Sequence, residues 1–476
     1  MSQLLHEFPG AGGLPPIGAT SERAPGLIHR LALMCVWLTI ASGALVFAEP
    51  APVDLAMAGL IILLPVAGLA PVKPSLLLYF GVWLIIAAAG FWASTQGSTL
   101  TYPTTHTAIT LFLSVGAFVI ACFVALRPQK HASLILNAQL VAATLAAIAG
   151  LIGYLGLLPG AHELFTKFGR ASGPFKDPNV FGPFVGFAAL YALQLCLNAP
   201  LRRLAVPFAM LGFLILGLFL SFSRGAWISF ALSIVVFGYL QFVTARGGAQ
   251  RLKLISLALL AVIAVALAMF AALQFDKTAT MLQQRASLSQ TYDTEHNGRF
   301  DGQLKAARLL LQHPLGLAAG EFQTNYHHED VHNVYLVMFL NAGWLGGLCY
   351  LIAVLIPLVV GLRQAFLRVE TQAMFHVIYA AYVGTLGEGI IIDTDHWRHF
   401  YLLLALVMGL WAASRRSRSG VQAAADPSIS RLPPSLVAAL RRQSHQARLL
   451  PVATDRARRK DDAEATWVVS GWRPLR

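Results

Sequence analysis

Apolar stretches of about twenty residues recur along this chain from residue 28 to residue 414, and no other feature limits its fold so tightly. That length is what an α-helix needs to cross the ~30 Å hydrocarbon core of a bilayer. Within lipid only helices and closed barrels satisfy their own backbone N–H and C=O groups, and these runs lack the alternation of barrel strands. The chain reads as an all-α integral membrane protein. About twelve transmembrane helices are expected, near 28–47, 52–70, 75–94, 106–126, 132–157, 180–198, 203–221, 225–243, 253–275, 333–361, 371–391 and 398–414. Composition agrees, since 57% of residues are hydrophobic and only 12% charged, against roughly 25% charged in soluble chains. Val46-Phe47-Ala48 resembles a cleavage site, but the first run is longer than a signal-peptide core and is kept as a span. Cys35, Cys122, Cys196 and Cys349 all sit in apolar runs, where thiols act as small hydrophobes, so no disulfide framework is implied.

Three divisions follow: an amino-terminal cytoplasmic tail over 1–26, a polytopic membrane domain over 27–414, and a basic, disordered cytoplasmic tail over 415–476. Placing the amino terminus inside puts Lys73, Arg127, Lys130, Arg202, Arg203, Arg246, Arg251, Lys253, Arg363 and Arg368 in inside loops, as the positive-inside rule requires. The carboxyl-terminal tail holds thirteen more Lys and Arg, suited to an anionic inner leaflet. The net charge of +13 is thus largely topology and tail, and calls for membrane lipids rather than nucleic acid.

The cations on the outer side need a cause. They are Lys167, Arg170 and Lys176 after the fifth span, Arg224 between the seventh and eighth, five residues in the loop 276–332, and Arg398 before the last span. A cation near the bilayer edge is unfavourable, by up to roughly 2.5–3.5 kcal/mol at a helix centre. One explanation is pairing with Glu163, Asp177, Asp276, Asp293, Glu295 and Asp301. The other is a bound anion such as a diphosphate, which the planar guanidinium grips with paired hydrogen bonds.

Five stretches hold the candidates. GRASGPFKDPNVFG, residues 169–182, reads as a structured turn offering Arg170 and Lys176 to an anion, or as a re-entrant connector. LSFSRGAWISF, residues 220–230, sets Arg224 at the membrane boundary, pointing into the bundle or snorkelling out. In the long loop, an amphipathic helix from about Phe300 to Gln312 carries Phe300, Leu304, Ala307 and Leu311 on one face and stops at Pro314. It would lie along the interface, with Arg299 and free helix amides at its start. HHEDVHNVYL, residues 327–336, places His332 and Asn333 against the tenth span, with Glu329 a turn earlier. His328 and His332 lie four apart and admit a zinc reading, but no metalloprotease spacing is present. A neutral histidine there can accept a proton. DTDHWRHF, residues 393–400, brings Asp393, Asp395 and Arg398 to an outer helix start, as site or as salt-bridged packing.

SFSRGAW, then GRF with HPLG, then HNVYLVMFLNAGWLGGLCYL resemble, in that order, the signatures of the O-antigen ligase and polymerase superfamily, and the GPFKDPNVFG turn fits them. The resemblance implies a metal-independent, inverting glycosyltransferase without cofactor, facing the periplasm from the bacterial inner membrane. Its donor would be an undecaprenyl-diphosphate-linked glycan, its acceptor lipid A-core or a growing glycan. On the matching positions His332 stands for the essential histidine, and Arg224 and Arg299 for the arginines that hold the diphosphate; Arg398 lies outside the matched pattern. A lipid-linked glycan flippase or a noncatalytic scaffold are the readings from other classes, and no six-plus-six internal similarity supports the former.

Overall fold

The computed structural model describes residues 26–257, 259, 263, 274 and 298–424, with side chains described as far as Arg415. Its first half runs α1 (Leu27–Ser42), α2 (Pro52–Val66), α3 (Pro74–Ser94), α4 (Thr101–Leu126), α5 (Pro128–Leu155) and α6 (Ala161–Phe165). A hairpin of β1 (Thr166–Lys167) and β2 (Arg170–Ala171) leads to α7 (Pro178–Asn198), α8 (Ala205–Leu220) and α9 (Arg224–Thr244). The second half holds α10 (Arg299–Gln312), α11 (Glu321–Asn325), α12 (Val334–Ala365), α13 (Gln372–Glu388) and α14 (Arg398–Ala424). Pro52, Pro74, Pro128 and Pro178 each open a helix, where the missing N–H has no intrahelical partner to lose.

Six of these helices, α3, α4, α5, α7, α9 and α12, are long and apolar enough to cross a membrane, and α1, α2 and α8 are shorter apolar helices. The protein is a multi-pass, predominantly helical membrane protein. Helices fall on eleven of the expected segments; of the remaining one, 253–275, only 253–257, 259, 263 and 274 are described, and 1–25, 276–297 and everything beyond 424 lie outside the described residues. Several helix boundaries differ from the sequence reading; α1 ends at Ser42 rather than 47, and α4 begins at Thr101 rather than 106. Pro65 and Gly68 end α2 early, and α14 continues ten residues past the expected limit of 414.

Helix α3 packs along α12, α4 along α14, and α9 along α13. Between them Trp83, Tyr350, Tyr382 and Phe400 are fully buried and meet edge-on or stacked. Leu55, Leu78, Val235 and Leu345 point outward from the bundle, a surface made for lipid. Helix α10 is amphipathic as expected: Gly302 and Ala306 are buried, while Phe300, Leu304 and Leu311 face away from the protein. An exposed apolar face on an amphipathic helix is the kind that suits a membrane boundary.

Helix α12 is broken twice, and each break is repaired. Pro357 has no N–H to offer the carbonyl of Ala353, and the Tyr79 hydroxyl donates to that oxygen at 2.6 Å instead. At Gly343 the backbone turns to φ 65°, and the HPLG turn fills the gap. Trp344 N donates to Pro314 O at 2.9 Å, and Leu317 N donates to Leu340 O at 2.7 Å. Trp344 Nε1 adds a bond to Leu310 O at 2.7 Å, locking α10 to the break.

A Cβ at Gly343 would stand 2.7 Å from both the Pro314 oxygen and the Leu315 carbonyl carbon. Gly343→Val therefore should lose at least the ~1–3 kcal/mol of a strained backbone and displace the HPLG turn. Thermal unfolding in detergent checks this, with Gly81→Ala as the control because a Cβ there meets nothing.

Candidate functional site

The first turn of α12 is built by Asn333. Its side-chain oxygen accepts from Tyr335 N and Leu336 N at 3.1 and 3.2 Å, a full N-cap. The loop between α13 and α14 braces the same turn: Val334 N donates to Gly389 O at 2.9 Å, and Asn333 N to Asp393 Oδ1 at 3.1 Å. His332 precedes the cap at φ 50°, in the left-handed region that few residues other than glycine occupy. Residues 326–333 are not helical, so the four-residue spacing of His328 and His332 does not set them on one helix face.

This turn presents the His332 ring between two carboxylates. Nε2 lies 3.6 Å from Glu329 Oε2 and Nδ1 lies 3.9 Å from Asp393 Oδ2, with the side chain 24% exposed. Both distances exceed a hydrogen bond and fall within the reach of charge pairing. Partial burial pulls the imidazole below its ordinary pKa, and Arg299 adds to that pull, while Glu329 and Asp330 oppose it. The net shift is downward, so the ring is neutral near pH 7 and able to accept a proton.

Arg299 opens α10, and Gln303 one turn later ties that helix to the site by donating to His332 O at 3.1 Å and to Ile390 O at 3.3 Å. Arg224 opens α9, whose cap is Ser223, accepting from Ala226 N at 3.4 Å. Gly225, next in line, lies against Glu388 and Ile391, so the start of α9 packs against the same α13–α14 loop that braces α12. The amino ends of α9, α10 and α12 thus gather around residues 388–393, with half-buried Arg224 and Arg299 among them. Guanidinium groups beside the positive ends of helix dipoles together favour an anion.

Arg170 has a different place from the one the sequence suggests. It is only 5% exposed, its Nε donates to Ser221 O at 2.7 Å and its Nη2 to Asn179 Oδ1 at 2.8 Å. It joins the 169–182 turn to the α8–α9 junction from inside. Lys176 and Arg398 stand together over Glu49: Lys176 Nζ is 2.7 Å from Glu49 Oε2, and Arg398 grips Asp54 through two 2.7 Å bonds and reaches Glu49 at 3.4 Å. Burial alone would raise the Glu49 carboxyl, but these two cations bring it below the usual range. Their charges are matched by acids of the α1–α2 region, which fits the salt-bridged reading of that stretch.

A cavity of about 370 Å³ adjoins the loop. Asp393 lines it, along with Glu49, Asp54, Tyr102, Asp395 and Arg398. Its volume accommodates a small part of a polar ligand. The structure therefore brings together His332, Glu329, Asn333 and Arg299, sets the start of α9, where Arg224 lies, against the same loop, and places Lys176 and Arg398 at the cavity instead. Sequence reasoning missed Asp393 as the partner of His332. The only signal was the paired acids of DTDH at a helix start.

Residues 184–351 match the family model described as O-antigen ligase. The matched segment runs from within α7 into α12 and contains Arg224, Arg299, Glu329, His332, Asn333 and the HPLG turn. Over this stretch, about a third of its length, the chain is similar to the O-antigen ligase family. No curated protein matches the chain.

In an NMR titration of histidine-labelled protein, His332 should titrate acid of the ordinary value near 6.5. Arg299→Gln should raise it, because a neighbouring positive charge disfavours imidazolium, and Glu329→Gln should lower it further. Asn333→Ala should lower stability by about 1 kcal/mol, whereas Asn333→Asp keeps the cap; chemical unfolding measures both.

Proposed function

We propose that this protein is an O-antigen ligase: a metal-independent, inverting glycosyltransferase that moves a glycan from undecaprenyl diphosphate to a hydroxyl of lipid A-core. In this reading both termini are cytoplasmic and the ends of α9, α10 and α12 that carry the arginines face the periplasm of the bacterial inner membrane. The observation that carries it is the imidazole of His332 bracketed by Glu329 and Asp393, with Arg299 opening the helix tied to the same turn.

The reaction needs two things at once. His332 takes the proton of the acceptor hydroxyl as its oxygen bonds to the anomeric carbon. The carbon–oxygen bond to the diphosphate breaks, its electron pair stays on the departing phosphate oxygen, and undecaprenyl diphosphate leaves. Attack from the opposite face in a single displacement inverts the anomeric centre. Arg299 and Arg224 stabilise the growing phosphate charge, aided by the helix amino ends. Glu329 and Asp393 support the imidazolium that forms. Arg170 acts indirectly, fixing the junction from which Arg224 projects. Lys176 and Arg398 shape the cavity in which the acceptor is seated.

With purified protein, lipid-linked donor and lipid A-core acceptor, His332→Ala should lower transfer roughly 10²- to 10⁴-fold. Arg299→Ala and Arg224→Ala should each lower it roughly 10²- to 10³-fold. Unchanged transfer by His332→Ala removes the enzymatic reading. A deletion strain separates ligase from polymerase: long chains held on the lipid carrier above a bare core support ligase, and single repeat units point to polymerase.

A further inference from the structure

The cavity holds a second cluster that the transfer reaction above leaves unused. His106 comes from the first turns of α4, and Asp395 and His396 from the loop entering α14; all three line the cavity. His106 Nε2 is 3.3 Å from Asp395 Oδ2, and His396 Nε2 is 3.9 Å from the same oxygen. The two imidazole centroids are 4.0 Å apart, and one ligand atom from each residue lies within 4.8 Å of the others. Among the described residues this is the one such group of three, and it is not the 327–332 stretch in which the sequence admits a zinc reading.

A second observation points to a ligand. Asp395 is 6% exposed, and its Oδ2, the oxygen both histidines face, is buried without a hydrogen bond. A buried carboxylate oxygen left so is unfavourable unless something positive sits beside it. A tetrahedral ion with bonds of ~2.0–2.1 Å separates its ligand atoms by about 3.3 Å. The His106–Asp395 edge already has that length, and the His396–Asp395 edge is wider by about half an ångström. His396 Nε2 now lies 3.0 Å from the Thr110 hydroxyl, a contact it would exchange for the ion. Two imidazoles with one carboxylate select zinc-type cations over calcium or magnesium, which prefer all-oxygen shells.

We propose that His106, Asp395 and His396 form a site for a zinc-type divalent cation, with a fourth position open to the cavity. The ion is not the counter-charge of the diphosphate, which the arginines supply in the reading above. It ties the start of α4 to the loop that carries Asp393, two residues from Asp395, and so fixes the loop that braces His332. The two ideas stand apart: either can fail without the other.

The test uses tag-free, full-length protein in detergent, stripped with a chelator, dialysed against excess Zn²⁺ and assayed for bound metal by mass spectrometry. The wild type should hold about one equivalent, and Asp395→Asn and His396→Gln should each hold less than about a tenth of that. Co²⁺ in place of Zn²⁺ should give the visible absorption of a four-coordinate site, lost in the same variants. His332→Ala should keep its zinc while losing transfer, which separates this site from the catalytic reading. Wild type with no zinc above the buffer blank, or Asp395→Asn with as much as wild type, overturns the proposal. Asp395→Asn preserves side-chain volume; if it does not fold, His396→Gln and the cobalt spectrum of the wild type decide.

Discussion

The first turn of α12 is clasped by the loop after α13, and the site depends on that clasp. Two backbone amides, those of Asn333 and Val334, donate to Asp393 and to Gly389 O, so the helix start and the loop cannot move independently. The same grip holds His332 in its left-handed conformation and turns its ring between Glu329 and Asp393. A backbone in that region is disfavoured by about 1–3 kcal/mol and persists only where its surroundings impose it. Here Asn333 as cap, Asp393 as acceptor and Gln303 on the His332 carbonyl all impose it.

Backbone satisfaction in a low-dielectric setting explains much of the rest. Each interruption of α12 leaves carbonyls or amides that lipid cannot hydrate, and each is answered by a neighbour: Tyr79 at Pro357, the HPLG turn at Gly343. The second repair has a functional consequence. It anchors the end of α10 to the middle of α12, while Gln303 anchors its beginning to His332, so Arg299 is held at a fixed distance from the imidazole. An arginine on an untethered interfacial helix would not act steadily on that ring.

The sequence made the helices legible because a bilayer demands long apolar runs, and the helix starts legible because proline and Asn, Ser or Asp mark them. His332, Arg224 and Arg299 stand out as candidates for the same reason, since polar groups at a membrane boundary contrast with an apolar background. Partners across long chain separations could not be read. Arg170 looks like any loop cation until its bonds to Ser221 and Asn179 are seen, and Arg398 until it is found on Asp54. Asp393 lies some sixty residues from His332 in a stretch whose local pattern also fits salt-bridged packing, and only folding joins the two. His106 gave no signal at all, as a single histidine near the start of an apolar run.

The proposed transfer depends on the guanidinium groups of Arg224 and Arg299 receiving a diphosphate on the side of the bundle where His332 lies. A cryo-electron-microscopy map of the protein with undecaprenyl diphosphate tests this directly. Diphosphate density within hydrogen-bonding reach of Arg299 and Arg224, alongside His332, is the predicted result. Density seated instead on Lys176 and Arg398, or at the opposite ends of the helices, would contradict it.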